Sequence, residues 1–317
     1  MTGARPVDGA DAQPAREDAA HAEGDGAVRL DRAVVRRAAR FAAHLSAAAA
    51  REDSGGRNAL GGASEEFVGH RPYRPGEDLR HLDWALLGRL EQPFVKVHRA
   101  SRREAWVVAI DASPSMAVGA PSKLQSAAEA ALGAIALGLR VGARVEVVVP
   151  DGAGGELRGG ELGGRGGLAR AVRALDGIAP RTDGGLERIL DGGALLARAA
   201  RARARRVVLI GDFLDVDLHA LLTVGSGRRR VHLGRVVAPE EADPSERRVG
   251  GRVSRWYDPE APDRPARQPS TADLRRYDEG LDAFAERLAR AARQHRMSLA
   301  VWSSADPFEN HVPDLLQ

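Results

Sequence analysis

From residue 105 onward the chain alternates short apolar runs with longer segments of helical period, and this alternation constrains the fold more than any other feature. "AWVVAI" at 105–110, "RVEVVV" at 144–149, "RVVLI" at 206–210, "VHLGRVV" at 231–237 and "MSLAVW" at 297–302 read as strands. Runs this apolar are buried on both faces, as the strands of a parallel sheet are. After the first, "SKLQSAAEAALGAIALGLRVG" sets Leu124, Ala128, Ala131, Ile135 and Leu139 on one helical face, with Gly142 placed to end the helix. A Gly-rich excursion at 152–167 and two helical stretches precede the third strand. A Pro-, Arg- and Asp-rich insertion at 239–269 precedes an amphipathic helix whose Leu274, Tyr277, Leu281, Phe284 and Leu288 form a core-facing stripe. Repeated strand–helix units predict an α/β fold of three layers: a doubly wound, mostly parallel sheet with helices on both faces and right-handed crossovers.

The first 104 residues are organised differently. Residues 1–27 carry acidic groups where a signal peptide needs an apolar stretch, and read as a disordered tail. Residues 28–104 form an N-terminal extension. It comprises a helix through Leu30, Val34, Ala38, Phe41 and Leu45, a Gly-rich loop, the segment "EEFVGHRPYRPGEDLRHLDW" with its Pro75-Gly76 turn, and a short strand "FVKVH". Residues 105–317 are then the α/β domain. The chain has no cysteine, which excludes a disulfide framework and a thiolate metal site and agrees with a cytoplasmic location. No apolar run approaches the ~18 residues of a membrane span, so no membrane partner is expected. The net charge of +3 is small for a nucleic-acid binder, and the basic residues are almost all Arg, with Lys96 and Lys123 the only lysines.

The chemistry begins at "VVAIDASPSM", residues 107–116, where an apolar strand ends in a carboxylate and two hydroxyls at alternate positions. In open α/β sheets ligands gather outside the carboxyl ends of the strands. Alternate spacing lets Asp111, Ser113 and Ser115 converge from one short turn. Hard oxygen donors of this type suit Mg²⁺, or Mn²⁺. Three cannot fill a six-oxygen shell, and two further segments offer donors on the same edge. "RVVLIGDFLD" places Asp212 just past a strand, and "APRTDGGLE" places Thr182 and Asp183 in a loop before a helix. The plainer reading makes Asp111, Thr182 and Asp212 helix N-caps, as Ser122 is read to be.

Taken together, Asp111-x-Ser113-x-Ser115, a loop threonine and an aspartate after a later strand resemble the metal-ion-dependent adhesion site of von Willebrand factor A domains. The upstream "RPYRPGEDLRHLDW" resembles the signature of the bacterial domain-of-unknown-function family fifty-eight, in which it precedes such a domain. That signature reads Arg-x-Tyr-x-Pro-Gly-Asp-Asp-x-Arg-x-Ile-Asp-Trp. This chain matches it at Arg71, Tyr73, Pro75, Gly76, Asp78, Arg80, Asp83 and Trp84 and departs at Glu77 and Leu82. The resemblance implies that Ser113 and Ser115 ligate Mg²⁺ or Mn²⁺ directly, while Asp111 and Asp212 hold it directly or through water. Thr182 would be the loop ligand, with Arg181 standing where the family often has Gly and Asp183 competing for the role. An open coordination position would then accept a carboxylate from a partner protein. The resemblance further implies a non-enzymatic interaction module, acting with a MoxR-type AAA+ ATPase on a client protein during maturation of a complex. The alternatives are a scaffold with a metal-free site and a metal-dependent phosphoester hydrolase.

Enzyme signatures are missing. There is no phosphate loop, no Gly-x-Gly-x-x-Gly, no Gly-x-Ser-x-Gly and no His-Glu-x-x-His, and the nine histidines have no metal-ligand spacing. Haloacid-dehalogenase-like phosphatases also carry an Asp after the first strand, but they use a second Asp two residues on as proton donor. Ser113 stands there, and a hydroxyl cannot serve near neutral pH. Arg102–Arg103, Arg205–Arg206 and Arg228–Arg230 precede strands and so lie at the opposite edge, where helix C-termini account for them. Tyr73, Trp84 and the Pro-Gly turn are expected to pack the extension against the sheet. Arg71, Arg74, Arg80, Glu77, Asp78 and Asp83 are expected to form an ion-pair network.

Overall fold

The structure is a computed structural model. It describes residues 26–316 apart from 53–64, 101–103, 151–156, 159, 165, 183, 192, 215, 226–228, 243–247, 250–251, 254–255 and 262. The tail expected at 1–27 lies outside the described residues except for its last two.

Helix α1 (Arg32–Glu52) starts at Asp31, whose Oδ1 accepts the amides of Ala33 and Val34. Strand β1 (Glu65–Pro72), helix α2 (Trp84–Leu90) and strand β2 (Phe94–Ala100) follow, β1 and β2 pairing antiparallel. The α/β part opens with β3 (Ala105–Ile110), α3 (Lys123–Arg140) and β4 (Arg144–Pro150). Two-residue strands β5 (Leu157–Arg158) and β6 (Glu161–Leu162) lead to helices α4 (Gly167–Leu175), α5 (Leu186–Asp191) and α6 (Ala194–Arg201). Then come β7 (Arg206–Gly211), α7 (Leu218–Val224), β8 (Arg230–Val237) and α8 (Pro239–Ala242). A small hairpin of β9 (Arg248–Val249) and β10 (Arg252–Val253) precedes α9 (Thr271–Gln294), β11 (Ser298–Ser303) and α10 (Val312–Leu315).

The sheet order is β11-β8-β7-β3-β4, all parallel, with β5 and β6 antiparallel along the β4 edge. The chain leaves β3 in one direction to β4 and returns across it to β7. The β3/β7 boundary is therefore the switch point, where a crevice opens at the carboxyl ends. This is the doubly wound, mostly parallel α/β arrangement that the strand–helix alternation predicted, and it is consistent with the von Willebrand factor A-like, Rossmann-like fold that the motif resemblance implied. One apolar cluster fills the face under α1, α3 and α4, with Trp106, Val108 and Ile110 from β3; a second fills the opposite face with Val107 and Ala109 against Leu186, Leu195, Phe213 and Leu288.

Helix α3 departs from its expected single buried face. Leu124 to Gly138 are buried apart from Gln125 and Glu129. The cause is α1, whose Val34, Phe41 and Leu45 pack on the same cluster and cover the face that would otherwise meet water. Arg37 pins α1 by a forked pair to Glu309, at 2.8 and 2.6 Å. Three helices, not two, precede β7, because the stretch breaks at Gly193 with a φ of 64°. Strand β1 was not expected, since "EEFVGHRP" has neither an apolar run nor alternation.

The signature segment folds on itself. Asp83 Oδ1 caps α2 by accepting the amides of Ala85 and Leu86. Its Oδ2 pairs with His70 at 2.8 Å and Lys96 at 3.5 Å, from the two strands of the hairpin. Of the expected ion-pair network, Arg71–Glu77 forms at 2.7 Å, whereas Asp78 caps the following turn through the Arg80 amide. The expectation for Trp84 fails: it is 64% exposed. Asp83 fixes it as the first residue of a seven-residue helix, with its ring in solvent. Among the described residues no helix is long and apolar enough to cross a membrane.

Candidate metal centre

Strands β3 and β7 lie side by side, and the amide of Asp111 donates to the carbonyl of Ile210 at 2.8 Å, carrying their pairing one residue past β3. Asp111 and Asp212 are thereby set next to each other at the switch point. Gly211 makes this possible: a Cβ there would lie 2.6 Å from the Cβ of Asp111. The loop bearing Thr182 is stitched to the same strand end. Arg181 N donates to Ala112 O at 2.7 Å, and Ala112 N to Gly184 O at 3.0 Å. Gly184 is required for that approach, since its Cβ would meet the Ala112 carbonyl oxygen at 2.3 Å.

Asp111 Oδ1 accepts the Ser113 amide at 2.9 Å, and the Ser113 and Ser115 hydroxyls touch at 3.0 Å. Asp111, Ser113, Thr182 and Asp212 line one small cleft of about 60 Å³, with Glu187 and Arg188 also on its wall. Ser115 joins through the hydroxyl contact. All five predicted ligands are thus gathered at the carboxyl edge; the competing Asp183 lies outside the described residues. A larger cavity of about 240 Å³ lies elsewhere, and its one lining arginine, Arg37, is already paired with Glu129 and Glu309.

Asp111 is 3% exposed, and its carboxyl is pushed up to about 7, first by burial and then by the charge of Asp212. Two buried carboxylates that repel each other beside aligned hydroxyls form a hard donor set, which a divalent cation would satisfy. The residues fit Mg²⁺ or Mn²⁺. Among the described residues no three His, Cys, Asp or Glu side chains gather to hold a metal, so the serine hydroxyls are indispensable to any such site. The plain N-cap reading holds for Ser122, which accepts the Gln125 amide. It fails for Asp212, because α7 is capped by Asp217 while Asp212 Oδ1 accepts the Leu214 amide.

Three site residues escaped the sequence reading. Lys123 is fully buried, with Nζ 2.8 Å from Asp212 Oδ2 and 2.6 Å from Glu241 Oε1. Burial would lower its pKa, but the two carboxylates reverse this and raise it, so it stays an ammonium. Glu260 places Oε1 2.9 Å from the Ser115 amide and lines the cleft beside Asp111 and Asp212. A signal for Lys123 was available: it is one of two lysines in an Arg-rich chain, at the head of a mostly apolar helix. Glu241 and Glu260 lie 118 and 145 residues from the groups they bond, and no local pattern marks them.

Fold and site together define the class: a doubly wound α/β protein with a candidate cation site at its carboxyl edge. The model of the family described as "Protein of unknown function DUF58" matches residues 69–260, a span that takes in the signature segment 71–84, β3 to β8 and every candidate ligand. The chain belongs to this family. No curated protein matches it. Among solved structures the chain is similar to conserved hypothetical protein BatB of Bacteroides thetaiotaomicron, at 15% identity and a TM-score of 0.35, over 60% of this chain and 99% of that one.

Proposed function

We propose that this protein is a non-enzymatic, Mg²⁺-dependent protein-interaction module of the cytoplasm, serving a MoxR-type AAA+ ATPase in the maturation of a client complex. The observation that carries this reading is the pair of buried carboxylates, Asp111 and Asp212, beside the touching hydroxyls of Ser113 and Ser115. Ser113, Ser115 and Thr182 would bind the ion through neutral oxygens, with Asp111 and Asp212 supplying the charge. A bound Mg²⁺ with so few anionic ligands would present a Lewis-acidic position to a partner carboxylate. The role of the chain itself is to hold its donors still: Gly211 and Gly184 permit the close approach, and Lys123 fixes Asp212 from behind. No acid stands two residues after Asp111, which argues against a phosphotransfer role.

A second reading, a scaffold with a metal-free site, draws support from Lys123, which already places one positive charge on Asp212. Calorimetric titration of Mn²⁺ and Mg²⁺ into the wild type and into Ser113→Ala/Ser115→Ala separates the two. The module reading expects saturable binding that the double variant loses, and capture of the ATPase that EDTA abolishes. Equal capture with EDTA present, and no heat of metal binding, would establish the scaffold instead.

A further inference from the structure

The two flanks of the sheet are finished differently. Beyond β4 the ladder tapers into β5 and β6, two residues each, and very short outer strands are one way a sheet protects its side. The other flank ends abruptly at β11. Its sequence, "SLAVWS", has no charge and no proline, and it pairs with β8 in unbroken register over all six residues. The Ser304 amide donates to the Val237 carbonyl, which sets the parity of the ladder. Ala300 and Trp302 turn their backbone groups to β8, while Leu299 and Val301 turn theirs outward. Among the described residues no strand pairs with that outer side, and Val301 is 51% exposed. An unprotected strand of this kind is a template for another.

We propose that the strand it receives is β11 of a second copy, so that the protein dimerises by joining two sheets into one. The charges on either side of β11 select this occupant. Arg296, exposed and without an ion pair among the described residues, precedes the strand. Asp306, half exposed, follows it and meets His311 and the Ser303 amide at 3.4 Å. A two-fold axis runs the two strands antiparallel and can set Val301 against Val301. Because 301 lies midway between 296 and 306, that register brings Arg296 of each copy to Asp306 of the other. It also meets the backbone requirement. Val301 faces its counterpart as a hydrogen-bonded pair that exchanges both bonds. Leu299 lies opposite Ser303, whose carbonyl holds the Asp306 amide and keeps a second lone pair for the Leu299 amide. One register thus serves apolar surface, backbone and charge together. The strands of each main sheet run parallel to β11, so the carboxyl edges of the two copies face opposite ways, with their clefts beyond β8 and away from the contact.

The test uses the full chain, whose lack of cysteine makes a single introduced thiol specific. Sedimentation velocity of the wild type is expected to show a monomer–dimer equilibrium in the micromolar range, as suits a contact of one strand a side. Val301→Lys is expected to abolish the dimer and to keep the melting temperature of the wild-type monomer. Arg296→Asp, an exchange that its φ of 54° tolerates, is expected to weaken the dimer about tenfold, since the two-fold repeats the lost pair. Arg296→Asp/Asp306→Arg is expected to restore it. The register has its own readout. With diamide as oxidant, Val301→Cys is expected to cross-link to itself, its Cα atoms lying about 5.5 Å apart, whereas Ser303→Cys, which faces Leu299, is not. A wild type that stays monomeric to high micromolar concentration overturns the proposal. So does a dimer that survives Val301→Lys and leaves Val301→Cys without a cross-link, which would put the contact on another surface.

Discussion

The two edges of the sheet both bury charge and do opposite things with it. At the amino edge, Arg206 is 1% exposed, donates to the Leu316 carbonyl at 2.8 Å and lies over the Trp106 ring, with Nε 3.6 Å from Glu104. His232 beside it donates from Nδ1 to the Leu315 carbonyl at 2.8 Å. Here the last residue of α10 and the one after it supply the acceptors, and they cover the edge. At the carboxyl edge, Asp111 and Asp212 face each other, Lys123 answers only one of them, and Glu260 arrives from a distant segment. Burial is similar, but the balance is not: at the amino edge the buried cation has carbonyl and carboxylate oxygens beside it, whereas at the carboxyl edge Lys123 reaches Asp212 and not Asp111, the imbalance that the proposed cation would relieve. The arginines before the strands, expected to answer helix ends, do so at Arg206 with a carbonyl that follows α10.

The sharpest way to break this contrast is to remove the lysine that the carboxyl edge buries against Asp212. Lys123→Met leaves Asp212 and Glu241 without their buried partner, and breaking such a pair costs about 3–5 kcal/mol. Chemical denaturation at neutral pH should show that loss, and it should shrink in saturating Mg²⁺, because a divalent ion can take over Asp212. A loss that Mg²⁺ leaves untouched would mean that Lys123 serves packing alone, and the carboxyl edge would then resemble the amino edge.

The same contrast explains what could be read from residues alone. Strands β3, β4, β7, β8 and β11 were legible because each is a local apolar run, and their ends place Asp111 and Asp212 automatically. The first turn of a strand–helix connection is short, so Ser113 and Ser115 follow from Asp111. The charges that complete the site were not legible, because Lys123, Glu241 and Glu260 join it through tertiary contacts across more than a hundred residues for the two glutamates. Trp84 failed for a related reason: an aromatic residue in a distinctive segment reads as core, but the Asp83 cap decides which way the helix presents it. The all-round burial of α3 depends likewise on α1, which no pattern within α3 announces.

The closed edge has its own pH signature. Burial, and next the charge of Arg206, hold the His232 imidazole down to about 4, against about 6.5 in an unfolded chain. Between those values the unfolded chain binds a proton that the folded one refuses, so stability rises with pH from about 4 to about 6.5 and is complete above that. The contribution is about 3 kcal/mol and is lost as the pH falls through the window. Comparing denaturation midpoints of the wild type and His232→Gln across pH 4–7 should isolate this slope, which Mg²⁺ should not alter. A His232→Gln profile parallel to the wild type would mean that the imidazole titrates normally and that the amino edge admits water.

The smallest effect separates framework from site within the carboxyl edge itself. Ser122 is the immediate neighbour of Lys123, yet its hydroxyl accepts the Gln125 amide at the head of α3 and belongs to the helix, not to the cleft. Ser122→Ala removes one N-cap and should cost about 1 kcal/mol, read as a modest fall in melting temperature. Because α3 is held by packing on both the sheet and α1, the helix keeps its position without the cap, and so does the Lys123 ammonium. Mn²⁺ affinity should therefore match the wild type within the error of calorimetry. If the affinity dropped along with stability, the cap would be setting the height of Lys123 against Asp212. The division between a structural helix start and the strand end proposed to bind a cation would then dissolve into one cooperative unit.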